Sequence, residues 1–348
     1  MRNRAKAIII VLDGVGAGPA PDSAGFGDVA PDTLGHVLSR AASRGGLALP
    51  VLQRLGLGNI APLPGVPPSS NPVASFGLMR ELSAGKDTVT GHWEMMGILN
   101  TSPFPTFPDG FPPDIIQGFE ESTGRKALGN RAASGTVIME ELGALHMKTG
   151  SPIVYTSADS VFQIAAHTGV IGVEELYGIC EKTRRMLSGP GRNVCRVIAR
   201  PFEGTPGSFR RMPAKRKDFP LPPPGETVID RLAAAGVPVF SVGKVAEMFD
   251  MRGFLAGTVK TSNNRQAMEE LTRLVKTERR KCLIFANLND FDTLYGHRND
   301  PIGFASALAE FDSLIAGFLP LLGPEDYLFI TADHGNDPTT PGTDTPND

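Results

Sequence analysis

The sequence predicts an α/β fold: a doubly wound, parallel core sheet interrupted by an inserted second unit. Three observations carry this expectation. Apolar runs closed by a polar or acidic residue recur at both ends of the chain, helical patterns separate the later ones, and two proline-rich stretches bracket a middle region of different texture. KAIIIVLD (6–13) is a continuous apolar run that ends in Asp13, and VPVFSVGK (237–244), CLIFANLND (282–290) and DYLFITADHG (326–335) share its form. Continuous apolar runs suit strands buried on both faces of a parallel sheet. ETVIDRLAAAG (226–236), NNRQAMEELTRLVKTERR (263–280) and IGFASALAEFDSLIAGFL (302–319) read as the helices between them. In such sheets ligands bind beyond the carboxyl ends of the strands. Asp13, the 289–297 segment and Asp333 all fall there.

The middle follows other rules. SPFPTFPDGFPPD (102–114) holds five prolines and is expected to be neither helix nor central strand. FPLPPPGE (219–226) is a second such stretch, and the pair reads as linkers around an insertion. SPIVYTSADSVFQIAA (151–166) and RVIARPF (196–202) are strand candidates between them. The expected organisation is a discontinuous core of residues 1–100 plus 219–348, with an inserted α+β cap domain over 101–218.

Composition bounds the function. With 348 residues, 41% hydrophobic and 20% charged, the chain has the profile of a soluble globular protein. A net charge of −3 offers no general polyanion surface, so nucleic acid is not an expected partner. AIIIVL (7–12) is too short to cross a bilayer and lacks a small-residue cleavage site, so it reads as a strand and no membrane association is expected. Cys180, Cys195 and Cys282 are odd in number and widely spaced; they suggest neither a disulfide framework nor a zinc knuckle, and fit a reducing cytoplasm.

The acidic strand ends carry the chemistry. Asp292 and His297 lie five apart on a loop after a strand, a pairing that suits Mn²⁺ or Zn²⁺ or, alternatively, a solvated loop with a capping Asp. Asp333 and His334 are adjacent at another strand end, and Asp13 at a third could equally cap a following helix. Together they place three carboxylates and two imidazoles on one sheet edge with no adequate set of cations. Burying such groups without counter-charge is costly. Two metal ions would remove the cost, and two-metal sites stabilise phosphoryl displacement. AGKDTVTGHWEMMG (84–97) shows neither a helical stripe nor strand alternation. Its Thr88 and Thr90 are candidate nucleophiles, since metal coordination activates a hydroxyl, and Lys86 could hold phosphate as a point charge. An exposed turn is the alternative.

VLDGVGAG, GKDTVTGHWE, YTSADSVFQIAAH, RVIARPF, DFDTLYGHRND and TADHGNDPT, in that order over nearly the whole chain, closely resemble the phosphopentomutase family of the alkaline phosphatase superfamily. The resemblance implies an alkaline-phosphatase-like core and an isomerase that interconverts ribose 1-phosphate and ribose 5-phosphate, and the 2-deoxyribose equivalents. It implies two Mn²⁺ ions, with other divalent metals as alternatives, and a sugar bisphosphate as activator. Pentose phosphates are then the expected small-molecule partners.

The resemblance makes Thr88 the phosphorylated residue, because it directly follows Lys86-Asp87 and stands four before His92. Related cofactor-independent phosphoglycerate mutases carry a nucleophilic Ser in the equivalent place. One metal would be held by Asp13, Thr88, Asp333 and His334, the other by Asp292, His297 and one further His. Ser157, Asp159, Val161, Arg196, Ile198 and Arg211 match positions that contact the sugar phosphate, and Lys244 would approach the phosphate from the core. The chemistry agrees: Arg196 and Arg211 offer forked donors for a phosphate. Asp159 can accept hydrogen bonds from ribose hydroxyls, which separates a sugar from plain phosphate. Arg211 is preferred to Arg210 by its spacing to Arg196. His36, His146 and His167 read as structural or surface residues, and Trp93 as packing.

One departure stands out. The family pattern continues from HGNDPT through a short loop to a Thr-Asp-His whose His completes the second metal site. This chain has HGNDPTTPGTDTPND, with Thr345 at the usual spacing. Either the site is degenerate, or the loop is slightly longer, with Asp348 in the Asp role and the His beyond the sequence. The second reading is favoured because the final strand usual after this motif is also missing. Weak binding of the second metal and poor mutase activity are then expected of the chain as it stands. A metal-dependent phosphatase or another phosphosugar mutase on the same core is the alternative, to be decided by Asp159, Arg196 and Arg211. A non-catalytic binding protein is the outcome if the His is truly absent.

Overall fold

The computed structural model describes residues 5–340, apart from 22, 27, 158–159 and 190–191. They form two compact units, Met1–Pro103 with Pro223–Asp348, and Phe104–Pro222. Among the described residues, the first unit is built on five parallel strands: β1 (Lys6–Leu12), β8 (Val239–Val242), β9 (Gly257–Val259), β10 (Cys282–Leu288) and β11 (Tyr327–Thr331). Their order across the sheet is β11-β1-β10-β8-β9. The apolar runs at 6–13, 237–244, 282–290 and 326–335 thus supply four of the five strands. β9, only three residues long, has no comparable apolar run.

The register brings three strand ends to one line. Leu12 pairs with Leu288 and Val11 with Thr331, so β1, β10 and β11 end level. Helices cover the sheet: α1 (Thr33–Ala42), α2 (Pro50–Leu55), α7 (Val228–Ala234), α9 (Asn264–Thr277) and α10 (Pro301–Phe318). Their starts follow capping chemistry. Thr227 and Asp230 form a reciprocal capping box on α7, and Asp300 accepts from the Gly303 amide where α10 begins at Pro301. The segment Pro301–Leu321 is long and apolar enough to cross a membrane, but Phe304, Leu308, Phe311 and Ile315 pack into the core with Ile8 and Ile10.

The second unit holds a mixed sheet of β2 (Leu128–Ala132), β3 (Ile153–Thr156), β4 (Val161–His167), β5 (Arg196–Glu203) and β6 (Arg210–Arg211), with β7 (Lys217–Pro220) also paired to β5. The single apolar stretch 151–166 becomes two antiparallel strands, β3 and β4. Phe111, Phe119, Phe162 and Val197 form a core on one sheet face with α4 (Pro113–Thr123) and α6 (Val173–Met186). Ile138 and Met139 of α5 (Gly135–Thr149) cover the other face with Ile153, Tyr155 and Phe202. The proline stretch 102–114 is not wholly helix-free, since Pro113 sits in the first turn of α4, where a missing N–H costs nothing. Likewise β7 runs into the second proline stretch and ends at Pro220.

His146 of α5 is fully buried and uses both ring nitrogens: Nδ1 donates to the Ser151 carbonyl (2.8 Å) and Nε2 accepts from the His167 amide (2.9 Å). That pattern requires a neutral ring. Burial pushes its pKa below the ordinary imidazole value, outweighing the hydrogen bond to Ser151. The unfolded chain therefore binds the extra proton first. The stabilisation from neutral His146 is present above about pH 6.5 and is lost as pH falls below it. The melting temperature should drop between roughly pH 6.5 and 5, and His146→Gln, which can donate and accept without titrating, should flatten that slope. Identical slopes in both proteins would refute the assignment.

Candidate metal centre

Asp13 follows β1 directly and has no exposed surface. It caps no helix; that task at α1 falls to Asp32. Gly14 turns the chain away with φ +76°, and a Cβ there would lie 3.0 Å from Asn336 Cβ. Asp333 and His334 follow β11, and Asp333 Oδ1 accepts from the Gly14 amide at 3.2 Å. His334 Nε2 lies 3.2 Å from Asp13 Oδ1 and 3.7 Å from Asp333 Oδ2. Both carboxylate oxygens of Asp13, and Oδ2 of Asp333, are buried without a well-directed hydrogen bond. One ligand atom from each of Asp13, Asp333 and His334 falls within 4.8 Å of the others. Two buried carboxylates and an imidazole with ligand atoms this close together fit a divalent cation.

The electrostatics say the same. Burial alone would lower the His334 pKa, yet Asp333, Asp13 and Asp292 hold it well above the ordinary imidazole value. Burial would raise the Asp13 carboxyl, but Lys244 and His334 outweigh it and keep it below the usual carboxylate range. Lys244 Nζ sits 2.7 Å from Asp13 Oδ2, and Asp13, Asp292 and Asp333 keep its pKa up against burial. The sequence pattern places no adequate cation at this edge. The structure supplies one, because the β8 strand end delivers Lys244 to it.

Residues 84–97, which show no helical stripe, contain α3 (Thr88–Met95). The stripe is missing because Val89, Thr90, His92 and Trp93 are all buried, so polar and apolar residues alike face inward. Asp87 starts the helix: its Oδ1 accepts from the Val89 and Thr90 amides (3.0 and 3.1 Å) and its Oδ2 from the Thr90 hydroxyl at 2.7 Å. The two threonines are therefore unlike. Thr90 is 1% exposed with its hydroxyl spent on the cap, whereas Thr88 Oγ1 lies 3.0 Å from His334 Nε2. Lys86 pairs with Asp28 at 3.0 Å, and Trp93 packs inside, donating to the Met248 carbonyl at 2.8 Å.

His92 does more than mark spacing. Its Nδ1 lies 2.8 Å from the Thr88 carbonyl and 3.3 Å from Asp333 Oδ2, and its Nε2 lies 3.3 Å from Asn287 Nδ2. An amide donor at Nε2 puts the ring proton on Nδ1, where it ties α3 to the Asp333 loop. Sequence reasoning misses Asn287, although an Asn inside the apolar run CLIFANL is the kind of residue a buried strand does not carry without a polar partner.

α3 and the Asp333 loop also touch backbone to backbone: a Cβ on Gly91 would lie 2.1 Å from the Asp333 carbonyl oxygen. Gly91→Ala must therefore push α3 off that loop. It should cost about 1–3 kcal/mol in thermal stability and lower metal content together, measured by melting and metal analysis. Unchanged values of both would overturn this reading.

Asp292 lies in a π-helical turn, Phe291–Tyr295, just past β10. Its Oδ1 accepts from Asn336 Nδ2 at 2.7 Å, and its Oδ2 lies 3.4 Å from His297 Nε2. Burial and the Asp13 charge raise its pKa, but His297, His334 and Lys244 bring it below the ordinary carboxylate value. The sheet edge thus gathers Asp13, Thr88, Lys244, Asp292, His297, Asp333 and His334 in the first unit. Thr345 and Asp348 lie outside the described residues. Another expected bystander, His36, pairs through Nδ1 with the buried Asp337 carboxylate.

In the second unit Ser157 follows β3, Val161 opens β4 and pairs with Arg196, and Ile198 of β5 pairs with Gln163 of β4. The side chains of Val161 and Ile198 are 2% exposed and packed. Arg196 is half-buried, with Nη1 3.9 Å from Asp218 Oδ2. Arg211 is exposed on β6 and pairs with Phe202, so Arg196 and Arg211 leave from opposite ends of β5. Asp159 lies outside the described residues.

A family model described as Metalloenzyme superfamily matches residues 5–345. The chain is 53% identical over 343 residues to the phosphopentomutase of Anaeromyxobacter dehalogenans (strain 2CP-C), covering 98% of this chain and 86% of that protein. It is 52% identical over 339 residues to the phosphopentomutase of Caldanaerobacter subterraneus subsp. tengcongensis, covering 97% and 84% of the two chains. It is 49% identical over 339 residues to that of Thermotoga maritima, covering 97% and 86%. An acidic, imidazole-bearing sheet edge in a chain so like these enzymes has one reading at family level: the chain belongs to the metalloenzyme superfamily, with its alkaline-phosphatase-like α/β fold, and within it to the phosphopentomutase family of isomerases.

Proposed function

We propose that this chain interconverts ribose 1-phosphate and ribose 5-phosphate, and their 2-deoxyribose equivalents, through a phosphorylated Thr88. The observation that carries the mechanism is the Thr88 hydroxyl, 3.0 Å from His334 Nε2 beside the buried carboxylates of Asp13 and Asp333. Relatives about half identical to it bear the name phosphopentomutase.

Asp13, Thr88, Asp333 and His334 would hold one Mn²⁺, and Asp292, His297 and one further His the other. Divalent ions bound there supply Lewis-acid stabilisation of charge on the transferring phosphoryl oxygens. The chain's own residues do the rest. Asp87 caps α3 and so presents Thr88 as the first helical residue, with its hydroxyl turned to His334. His92, held by Asn287, fixes the Thr88 carbonyl against the Asp333 carboxylate. Lys244 adds a fixed positive charge on the core side, suited to a phosphate. Ser157, Asp159, Val161, Arg196, Ile198 and Arg211 of the second unit recognise the sugar phosphate.

The phosphoryl group leaves Thr88 Oγ1 for the free hydroxyl of the pentose monophosphate, giving a pentose bisphosphate. The other phosphoryl group then returns to Thr88, releasing the isomer. A sugar bisphosphate therefore serves as activator, since it phosphorylates Thr88 at the start.

The test is a ribose 1-phosphate assay with Mn²⁺ and a trace of bisphosphate, following ribose 5-phosphate and free phosphate together. Ribose 5-phosphate without matching free phosphate supports the mutase. Free phosphate as the sole product would replace it with a phosphatase, and no turnover with a binding role.

A further inference from the structure

One buried amide joins three of the loops that build the metal centre. Asn336 stands two residues after His334 and is 1% exposed. Its backbone N–H donates to the Gly14 carbonyl at 2.9 Å, past the end of β1, and to Thr33 Oγ1 at 3.0 Å, at the start of α1. The Gly14 N–H in turn donates to Asp333 Oδ1 at 3.2 Å, so Gly14 grips the β11 loop on both sides of His334. The Asn336 side chain reaches the third loop, the π-helical turn after β10, where Nδ2 donates to Asp292 Oδ1 at 2.7 Å. An ionised carboxylate only accepts, so the end of the amide that meets it is the NH2.

The amide is clamped in place. A Cβ on Gly14 would lie 3.0 Å from Asn336 Cβ, and one on Gly296 would lie 2.5 Å from both Cγ and Nδ2 of Asn336. Backbone thus presses on the side chain from two loops, and the donor cannot swing away with Asp292. The two oxygens of Asp292 are thereby told apart. Oδ1 is held by Asn336, whereas Oδ2 lies 3.4 Å from His297 Nε2.

We propose that Asn336 is a positioning residue that sets metal selectivity: by holding Asp292 Oδ1 it makes Asp292 a one-oxygen ligand, offering Oδ2 beside His297. This rests on the proposed ion at Asp292 and His297 and says what that site discriminates. A transition-metal ion such as Mn²⁺ is served by a single carboxylate oxygen together with imidazole. Ca²⁺ takes about six to eight oxygens and gains from both oxygens of a carboxylate. A carboxylate with one oxygen tied to a fixed amide therefore disfavours Ca²⁺, and a freed carboxylate does not. Hydrogen bonds to ligating carboxylates contribute to affinity as well as to orientation.

The test titrates metal-free wild type, Asn336→Ala and Asn336→Leu with Mn²⁺ and with Ca²⁺, reading bound ions by equilibrium dialysis. Asp292→Asn identifies the ion to be scored, as the one whose binding it weakens. Leu keeps the branched shape of the amide and removes the donor, which separates the hydrogen bond from packing. In both Asn336 variants the preference of that ion's site for Mn²⁺ over Ca²⁺ should fall about tenfold or more, while the site of Asp13, Asp333 and His334 keeps its affinities within about threefold. Equal weakening of both sites for both metals would mean a purely structural Asn336 and overturns the proposal. So does an unchanged preference, or binding that Asp292→Asn leaves intact. A crystal structure of the wild-type Mn²⁺ complex gives an answer even if neither variant folds: Asp292 with one oxygen on the ion and the other on Asn336 supports the role, and both oxygens on the ion overturn it. The ribose 1-phosphate assay is read separately. Turnover with an unchanged preference leaves the mutase in place and removes the role of Asn336, and a lowered preference without turnover does the reverse.

Discussion

Thr88→Ala abolishes both phosphoenzyme and mutase turnover, while Thr90→Ala leaves the phosphoenzyme detectable. This is the largest effect expected of any substitution here. The difference comes from what each hydroxyl touches. Thr88 Oγ1 faces His334 at 3.0 Å, and removing it takes away the atom that forms the covalent intermediate. Loss of at least ~10³-fold in kcat is expected. Thr90 Oγ1 is held by Asp87 Oδ2 at 2.7 Å, inside the helix cap. Its removal costs one hydrogen bond, about 1 kcal/mol, and leaves the Val89 and Thr90 amides on Asp87. Intact-mass measurement after exposure to a sugar bisphosphate reads the result directly. Phosphorylation that survives in Thr88→Ala and vanishes in Thr90→Ala would reverse the assignment.

Asp333→Asn should have the second largest effect. Asn keeps an oxygen to accept from the Gly14 amide, so the local fold is preserved. What it removes is the negative charge between His92 and His334. Metal content should fall by about one ion per chain, with activity down by roughly 10³-fold, since several kcal/mol of charge stabilisation depend on that ion. Asp326→Asn is the matched control. It removes a carboxylate that accepts from the Lys6 and Gly323 amides just before β11 and faces Lys6 Nζ at 3.9 Å. If the two variants retain equal metal, Asp333 is not a ligand.

The core strands were legible because burial on both faces forces composition: β1, β8, β10 and β11 each come from an apolar run that closes on a polar residue. The acidic edge was legible for the same reason in reverse, since charged residues at the ends of such runs have few structural uses. Other features were not. α3 hid because its buried face includes His92 and Thr90, which a hydrophobic pattern does not count. Lys244 is expected from sequence to approach the phosphate from the core side, and nothing local in VGK says that it will also neutralise Asp13 across the sheet. Asn287, Asn336 and His36 act through partners tens to hundreds of positions away, such as Asp292 and Asp337. β6, two residues long, offers no period at all.

The strand order has a consequence for how this molecule is made. β1 lies between β10 and β11, so it has both of its neighbours more than 270 residues later in the chain. β1 can join the core sheet only through very distant pairings, which are slow to close, whereas β8, β9 and β10 pair over short separations. The second unit, by contrast, draws its strands from a contiguous stretch and can collapse while the ribosome is still working. During that interval the apolar β1 lacks both of its strand partners. Because Asp13 meets Asp333 and His334 only when β11 docks, the carboxylate–imidazole cluster cannot form until this late strand has been made and paired.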